Sequence, residues 1–549
     1  MKRLKSVAYF CMEYGTDSSV KLYAGGLGIL AGDYLKEACE RGYPVTGIGI
    51  LWKQGYGEQY LDTETGMVYD AYKNRKYPFL EDTGVTVSVT IRKKDVKIKV
   101  WRYRAHGVDN LYLLDTDVEG NDAEARWITG QLYGWFGEER VAQEMVLGIG
   151  GVRALRALGI KPDVYHFNEG HALFAGLELI RERMERGMRF RQALEVTRKE
   201  IVFTTHTPVP EGNEQHPIER LIYMGANLNL SRRQLRAIGG DPFNMTAAAL
   251  RLSRIANAVS DIHRVTALRM WKKVKRRCEI IGITNGIHIP TWVDRKMLEL
   301  AAEYNGSKTA EEELWNRHMH NKDALIGFVE ERTGIRLDRN VLLIGFARRA
   351  VQYKRPGLVL SDMDFLEPLL RERKLQIIFS GKAHPLDDAG KAVLSDIAAA
   401  AGKFPDSIVF LENYDMDIGR LMTRGCDVWL NNPRRPQEAS GTSGMKAAMN
   451  GVLNLSVLDG WWPEACLHGV NGWQFGNGFQ SENQARADRH DLKALKACLI
   501  GEVVPTYYEN RSKWTAMMAS SINTTREAFS MKRVLEEYYS RMYDTDFQG

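Results

Sequence analysis

Val341-Leu342-Leu343-Ile344-Gly345-Phe346-Ala347-Arg348-Arg349-Ala350-Val351-Gln352-Tyr353-Lys354-Arg355 is an apolar run that passes directly into a basic loop. The uncharged stretch 341–346 is too short for a typical helix and lacks polar alternation, so it predicts a strand covered on both faces, as in a parallel sheet. Parallel strands need crossover connections, and the chain supplies them. Apolar runs at 376–380, 408–411, 428–431 and 452–458 alternate with segments of helical periodicity. Upstream, the runs 7–13, 45–51, 164–168, 201–205 and 280–284 make an earlier series of the same kind. A polar, helix-prone stretch at 303–340 separates them, with a hinge predicted within 285–340.

The fold class that follows is α/β, with two facing Rossmann-like doubly wound domains at 1–300 and 301–510, and helices at 511–549. Two such sheets would place ligand sites at the carboxyl ends of strands, in the cleft between them. One insertion differs. Strict alternation at 85–90 and 96–103, around Lys93-Lys94-Asp95, predicts an antiparallel hairpin near 85–104 that flanks the main sheet.

Composition narrows the function classes. The 549 residues amount to about 3.7 domains of ordinary size, which favours a large enzyme over a lone binding module. With 44% hydrophobic and 26% charged residues, global disorder is excluded. The 75 basic residues exceed the 69 acidic ones by six, too dilute an excess to call for nucleic acid. Cys11, Cys39, Cys278, Cys426, Cys466 and Cys498 form no CxxC pair, which fits a reducing cytoplasm and suggests neither disulfides nor a metal site. No run nears the ~18 apolar residues of a membrane span, so no membrane partner is expected.

Several constellations can carry chemistry. Ala24-Gly25-Gly26-Leu27-Gly28 precedes a helical stretch, where bare backbone N–H groups can converge on an anion; a plain tight turn is the competing account. Gly148-Ile149-Gly150-Gly151 lies inside a helical pattern at 141–158 and reads as close helix packing. The cluster 272–277 reads as surface charge ending a helix at 257–271. Arg349 and Lys354 suit phosphate, and a solvated basic loop is the alternative. His171 and His206 both end strands, where imidazole can donate to a sugar hydroxyl or move a proton. In Glu438-Ala439-Ser440-Gly441-Thr442-Ser443-Gly444-Met445-Lys446 a lysine follows a Gly/Ser/Thr turn, a setting that can yield the neutral amine needed to condense with an aldehyde. An ordinary helix capped by Ser440 or Thr442 is the other possibility.

These residues resemble the α-glucan phosphorylases of the short type, over about 7–475. The most specific part is 438–446 with Asn450-Gly451, where the family attaches pyridoxal 5′-phosphate to the lysine matching Lys446. Supporting matches occur in order: 23–32, Gln54-Gly55-Tyr56, 168–171, His206-Thr207, Thr284-Asn285-Gly286, Arg349 with Tyr353-Lys354, and Glu412-Asn413-Tyr414. The resemblance implies a fold of the glycosyltransferase B type and phosphorolysis of terminal α-1,4 bonds of glycogen, starch or maltodextrin. Inorganic phosphate would yield glucose 1-phosphate with retention, the cofactor phosphate serving as acid and base. By similarity, Glu438, Ala439, Ser440, Gly441, Asn285, His206 and His171 bind substrate, and Lys446, Thr442, Gly25, Gly26, Lys354, Tyr414 and Trp292 hold the cofactor. Arg349, Lys354, Gly25 and Gly26 would grip phosphate, with Lys446, His206, Arg349 and Lys354 as the catalytic set. Dimers are common in the family.

Departures accompany the match. Asp415 stands where long forms carry an arginine at the cofactor phosphate, Ser443-Gly444 replaces Gly-Asn, Arg348 replaces a frequent lysine, and Ala24 an asparagine. Met1 lies close to the first predicted strand, so the regulatory N-terminal segment of animal phosphorylases is expected to be absent. Two other readings stay open: a nucleotide-sugar-dependent synthase, and a non-catalytic glucan-binding protein. Retaining synthases commonly place a second glutamate eight residues after the first, and counting from Glu438 reaches Lys446 instead.

Overall fold

The computed structural model describes residues 3–209 and 212–544, so 545–549 of the expected C-terminal helical segment lie outside the described residues. The chain forms two compact units, one of 1–56, 72–284 and 534–549, the other of 57–71 and 285–533.

Among the described residues, the first unit is built on a nine-stranded sheet. Seven strands run parallel in the spatial order Glu279–Gly282, Ile255–Ala258, Ile201–Thr204, Val164–Asn168, Val7–Phe10, Val45–Ile50 and Val108–Asp115. The earliest strand, Val7–Phe10, lies between the second and fourth of these in sequence, so the winding reverses beside it, and open α/β sheets bind ligands outside the carboxyl ends of the strands at such a point, here Val7–Phe10 and Val164–Asn168. The five apolar runs of the first series all form strands here.

Two expectations need correction in this unit. The segment 257–271, predicted as one helix, begins inside strand Ile255–Ala258, and the helix is Asp261–Met270. Asn257 hides the strand: it is fully buried, and its Oδ1 accepts a 2.6 Å hydrogen bond from Thr204 Oγ1 on the neighbouring strand. The hairpin, Leu80–Ile91 and Lys94–Ala105, turns at Arg92 (φ 52°) and Lys93 (φ 64°). Its second strand pairs antiparallel with the edge of Val108–Asp115, so the hairpin extends the main sheet instead of flanking it. The Gly148 region does serve close packing. A Cβ there would lie 2.5 Å from Ala175 N, and one on Gly151 would lie 2.7 Å from Phe10 Cε1.

The C-terminal stretch is tied into this unit by a buried ring cluster. Tyr543 Oη lies 2.7 Å from His166 Nδ1 and 2.8 Å from Tyr34 Oη, and Arg254 Nη2 donates to the carbonyls of Met542 and Tyr543 at 2.7 Å.

The second unit holds a six-stranded parallel sheet in the order Ile408–Leu411, Leu375–Ser380, Leu342–Ala347, Val428–Asn431, Leu453–Val457 and Gly472–Phe475. Counted in sequence this is third, second, first, fourth, fifth, sixth, the dinucleotide-fold order, and its winding reverses between Leu342–Ala347 and Val428–Asn431. Apolar side chains cover both faces of the sheet, as the uncharged run at 341–346 requires. The resemblance also implies that the C-terminal helices, 511–549, cross back to the first domain, whereas helix Arg511–Thr525 lies in this unit, with Trp514, Met518 and Ile522 in its core. A short antiparallel hairpin, Glu58–Leu61 and Val68–Ala71, also belongs here; Gln59 exchanges two 2.8 Å hydrogen bonds with the Ala383 backbone.

Beneath this sheet Asp427 accepts from Lys322 Nζ (2.6 Å), His318 Nε2 (2.7 Å) and the Leu343 N–H (2.7 Å), and all three side chains are fully buried. Asp427→Ala is expected to strand the Lys322 ammonium at a cost of about 3–5 kcal/mol. A fall in melting temperature on the order of 10 °C would register it in a thermal unfolding scan.

Candidate functional site

Both sheets present polar side chains at the carboxyl ends beside their reversal points, where their strands diverge and backbone groups are open to ligands. In the second unit Leu342–Ala347 delivers Arg348, and Val428–Asn431 leads into the loop that carries Glu438. Arg348 is buried; its Nη2 lies 2.8 Å from Glu438 Oε2 and its Nη1 donates to Asn431 Oδ1. Lys354 Nζ approaches both Glu438 oxygens at 3.3 and 3.4 Å. The supporting loop is pinned by Arg355, in a left-handed conformation at φ 50°. It donates to the Asn432 and Pro433 carbonyls and pairs with Asp488 and Asp491.

Electrostatics separate the roles of these groups. Burial pushes the Glu438 carboxyl up, but the Arg348 and Lys354 charges outweigh it and hold the group at about 2, so it is ionised at neutral pH. Burial, then the Arg348 charge, bring the Lys354 ammonium down to about 8 against the pull of Glu438. Behind Glu438, Asp459 Oδ2 accepts the Glu438 N–H at 2.9 Å, and burial together with the Glu438 charge drives its carboxyl up to about 8. A folded-state pKa raised above the unfolded value gives stability that is present below about pH 4 and lost as pH rises through about 8. Asp459→Asn keeps an acceptor and removes the titration. Between pH 5 and 8 the melting temperature of the wild type should therefore fall more than that of the variant; parallel curves would refute the assignment.

Lys446 sits in helix Thr442–Met449, whose N-cap is Gly441 in a left-handed conformation (φ 91°, ψ 62°), with no side-chain cap from Ser440 or Thr442. Its Nζ lies 3.3 Å from the centroid of the Trp292 ring, and both residues are buried. Trp292 is held in turn by its carbonyl, which accepts from Arg424 Nε (2.9 Å) and Asn450 Nδ2 (3.2 Å). Gly444 packs against the next strand, since a Cβ there would lie 2.7 Å from Asn454 Oδ1 and 2.8 Å from Trp461 Nε1. Ser440 Oγ and Asn285 Oδ1 are buried without hydrogen-bond partners among the described residues. Ala439 and Tyr414 are half-buried, and Arg349 is exposed. Asp415, the departure from the long forms, caps helix Met416–Gly425 by accepting from the Asp417 and Ile418 N–H groups at 3.1 Å.

In the first unit, His206 Nε2 lies 2.5 Å from Asn168 Oδ1, and the Asn168 amide nitrogen donates to Cys11 Sγ. This orientation makes Nε2 the donor and leaves the Nδ1 lone pair as an acceptor. Burial lowers the His206 imidazole to about 3, so it is neutral at physiological pH. Glu169, at φ 73°, accepts from the His206 N–H (2.8 Å) and Thr207 Oγ1 (3.1 Å). The Gly25 N–H is engaged at 3.0 Å by Glu13 Oε2, which also takes the Ala24 N–H at 2.6 Å, whereas Gly26 is exposed as the first residue of helix Gly26–Glu40. His171 faces Glu214, with Nε2 3.7 Å from Oε1.

The fold thus brings together Glu438 with Lys354, and Lys446 with Trp292, while His206, His171 and the Gly25-Gly26 pair belong to the other unit. Sequence reading missed Arg348 as the closest partner of Glu438, and missed Glu13, Asn168, Glu169 and Asp459 as site groups. All but Glu13 follow directly or within two residues on a strand or lie at its last position, so the strand-end rule that selected His206 would have found them.

Residues 269–491 match the carbohydrate phosphorylase family. The chain is 40% identical to a maltodextrin phosphorylase of Thermococcus litoralis, over 98% of this chain and 70% of that protein. It is 36% identical to a glycogen phosphorylase of Aquifex aeolicus, over 98% and 86%. An uncharacterized protein of Methanocaldococcus jannaschii is also 36% identical, over 98% of this chain and its own full length. With a buried lysine behind a glycine-capped turn, a carboxylate clamped between two cations, and relatives aligned along nearly the whole chain, the protein belongs to the α-glucan phosphorylases of the carbohydrate phosphorylase family.

Proposed function

We propose that the enzyme cleaves terminal α-1,4-glucosidic bonds of glycogen, starch or maltodextrins with inorganic phosphate, releasing α-glucose 1-phosphate with retained configuration. The observation that carries this reading is the clamped, ionised Glu438 beside Lys354, within the same segment as Lys446. Glu438 accepts hydrogen bonds from glucose hydroxyls, and Arg348 and Asp459 fix its direction. Ser440 and Asn285 offer unpartnered oxygens to the same sugar. Lys354 holds Glu438 only through long contacts, so it can turn toward an incoming phosphate, joined by Arg349. His206, neutral, accepts a hydrogen bond from a sugar hydroxyl at Nδ1.

The residues fit pyridoxal 5′-phosphate. A buried amine lies against an aromatic face, and Gly444 leaves no room for any side chain of its own. Lys446 would tether the cofactor, with Thr442, Tyr414, Trp292, Lys354, Gly25 and Gly26 around it. When bound, it supplies a phosphate group with a pKa near ~6, able to give and regain a proton at neutral pH. The fold is of the glycosyltransferase B type, and the enzyme works in solution in the cytoplasm, where a homodimer is the expected state.

Incubation with maltoheptaose and inorganic phosphate tests the proposal, with glucose 1-phosphate and chain length as readouts. Phosphate-dependent shortening is expected. Elongation from a nucleotide glucose alone, or binding without turnover, would overturn it.

A further inference from the structure

We propose that Glu144, Glu214 and His216 form a binding site for one divalent transition-metal ion within the first unit. No spacing in the sequence suggests it. Glu144 lies in helix Glu138–Met145, His216 in strand Gln215–His216, and the fold places one donor atom from each of the three within 4.8 Å of the others. His216 Nε2 is 3.4 Å from Glu144 Oε2 and 3.8 Å from Glu214 Oε2. A tetrahedral shell with bonds of ~2.0–2.2 Å sets neighbouring donors roughly 3.3–3.6 Å apart. The His216–Glu144 pair stands at that separation, and Glu214 Oε2 lies about 0.2 Å beyond it, a gap that a small turn of its side chain closes.

A second observation points the same way. Glu144 is 0% exposed and His216 3% exposed. Neither Glu144 oxygen, nor Glu214 Oε2, nor either ring nitrogen of His216 has a hydrogen-bond partner among the described residues. Buried charges are ordinarily paired or coordinate a metal.

The other groups facing the site are consistent with an ion. Arg140 Nε, at 3.3 Å, and His171 Nε2, at 3.7 Å, both address Glu214 Oε1, leaving Oε2 toward the donor cluster. Such outer contacts orient a ligating carboxylate. Two carboxylates with an imidazole suit zinc, manganese, iron(II) or cobalt better than magnesium or calcium, which prefer oxygen alone. The Glu214 side chain is 28% exposed and marks the entry path. The ion would cross-link helix Glu138–Met145 to the segment that follows His206-Thr207.

The full chain, stripped by chelator, is titrated with Co²⁺ and then Zn²⁺. The expected result is one equivalent of Co²⁺ per chain, with visible bands of low coordination number that Zn²⁺ displaces, and a melting temperature that rises with Zn²⁺. Glu144→Gln and His216→Phe should each weaken binding by at least about 100-fold. Circular dichroism of the stripped variants checks that they are folded, and the isosteric Glu144→Gln suffices if His216→Phe is not. Absence of stoichiometric binding, a spectrum unchanged in a folded variant, or preference for Mg²⁺ or Ca²⁺ would each overturn the proposal.

Discussion

Lys446→Ala is expected to reduce phosphate-dependent shortening of maltoheptaose by at least about a thousandfold, the scale seen when an enzyme loses a group that acts with its cofactor as one unit. The fold should survive the change. The Trp292 carbonyl is held by Arg424 and Asn450, and the variant forfeits a cation–ring contact of about 0.5–2 kcal/mol. Reductive trapping with pyridoxal 5′-phosphate, followed by mass spectrometry, should label the peptide containing Lys446 in the wild type and leave the variant unlabelled. A fully active variant, or an unlabelled wild-type peptide after saturating reconstitution, would end the assignment.

Glu438→Gln should lower kcat/KM for maltoheptaose by roughly 100- to 30,000-fold, the loss of two charge-assisted hydrogen bonds at about 1.5–3 kcal/mol each. The same change leaves two buried cations facing a neutral amide. Removing the carboxylate from such a cluster costs about 3–5 kcal/mol of stability. Because the native Glu438 pKa is depressed to about 2, that stability is present above the unfolded value near ~4.3 and lost as pH falls through 2; wild-type and variant melting curves should converge in strong acid. Lys354 supplies an independent signature. Its ammonium is held at about 8 partly by the Glu438 charge, so without that charge its titration, and the alkaline limb of the pH–rate profile, should move toward acid. A kcat/KM within threefold of wild type, with an unmoved alkaline limb, would refute this role.

Much of the fold was legible because parallel strands buried on both faces must be apolar along their length, which is why 341–346, 428–431 and 453–457 stand out of the chain. The strands that escaped notice break that rule for particular reasons. Asn257 spends its amide inside the sheet, and Gly472–Phe475 opens with a glycine, whose Cβ would lie 2.9 Å from Trp462, and carries Gln474. The alternative of a helix capped by Ser440 or Thr442 fails because the cap is Gly441, which works through its backbone angles and leaves no side-chain signature beyond its own presence. Among site residues, Glu438 and Lys446 were marked by a local motif. Arg348, Asp459 and Glu13 were not, because their partners are distant in sequence and become neighbours only when strands align.

Vectorial synthesis gives the ring cluster around Tyr543 a further meaning. A ribosome adding about 5–20 residues per second needs roughly ten seconds to a minute to pass from Thr284 to Tyr543. Throughout that interval the nascent first unit has His166 and Tyr34 in place but lacks the ring that joins them. Its interior is closed only by residues made long after the rest of the unit, which makes this half of the molecule a natural client for chaperones during translation.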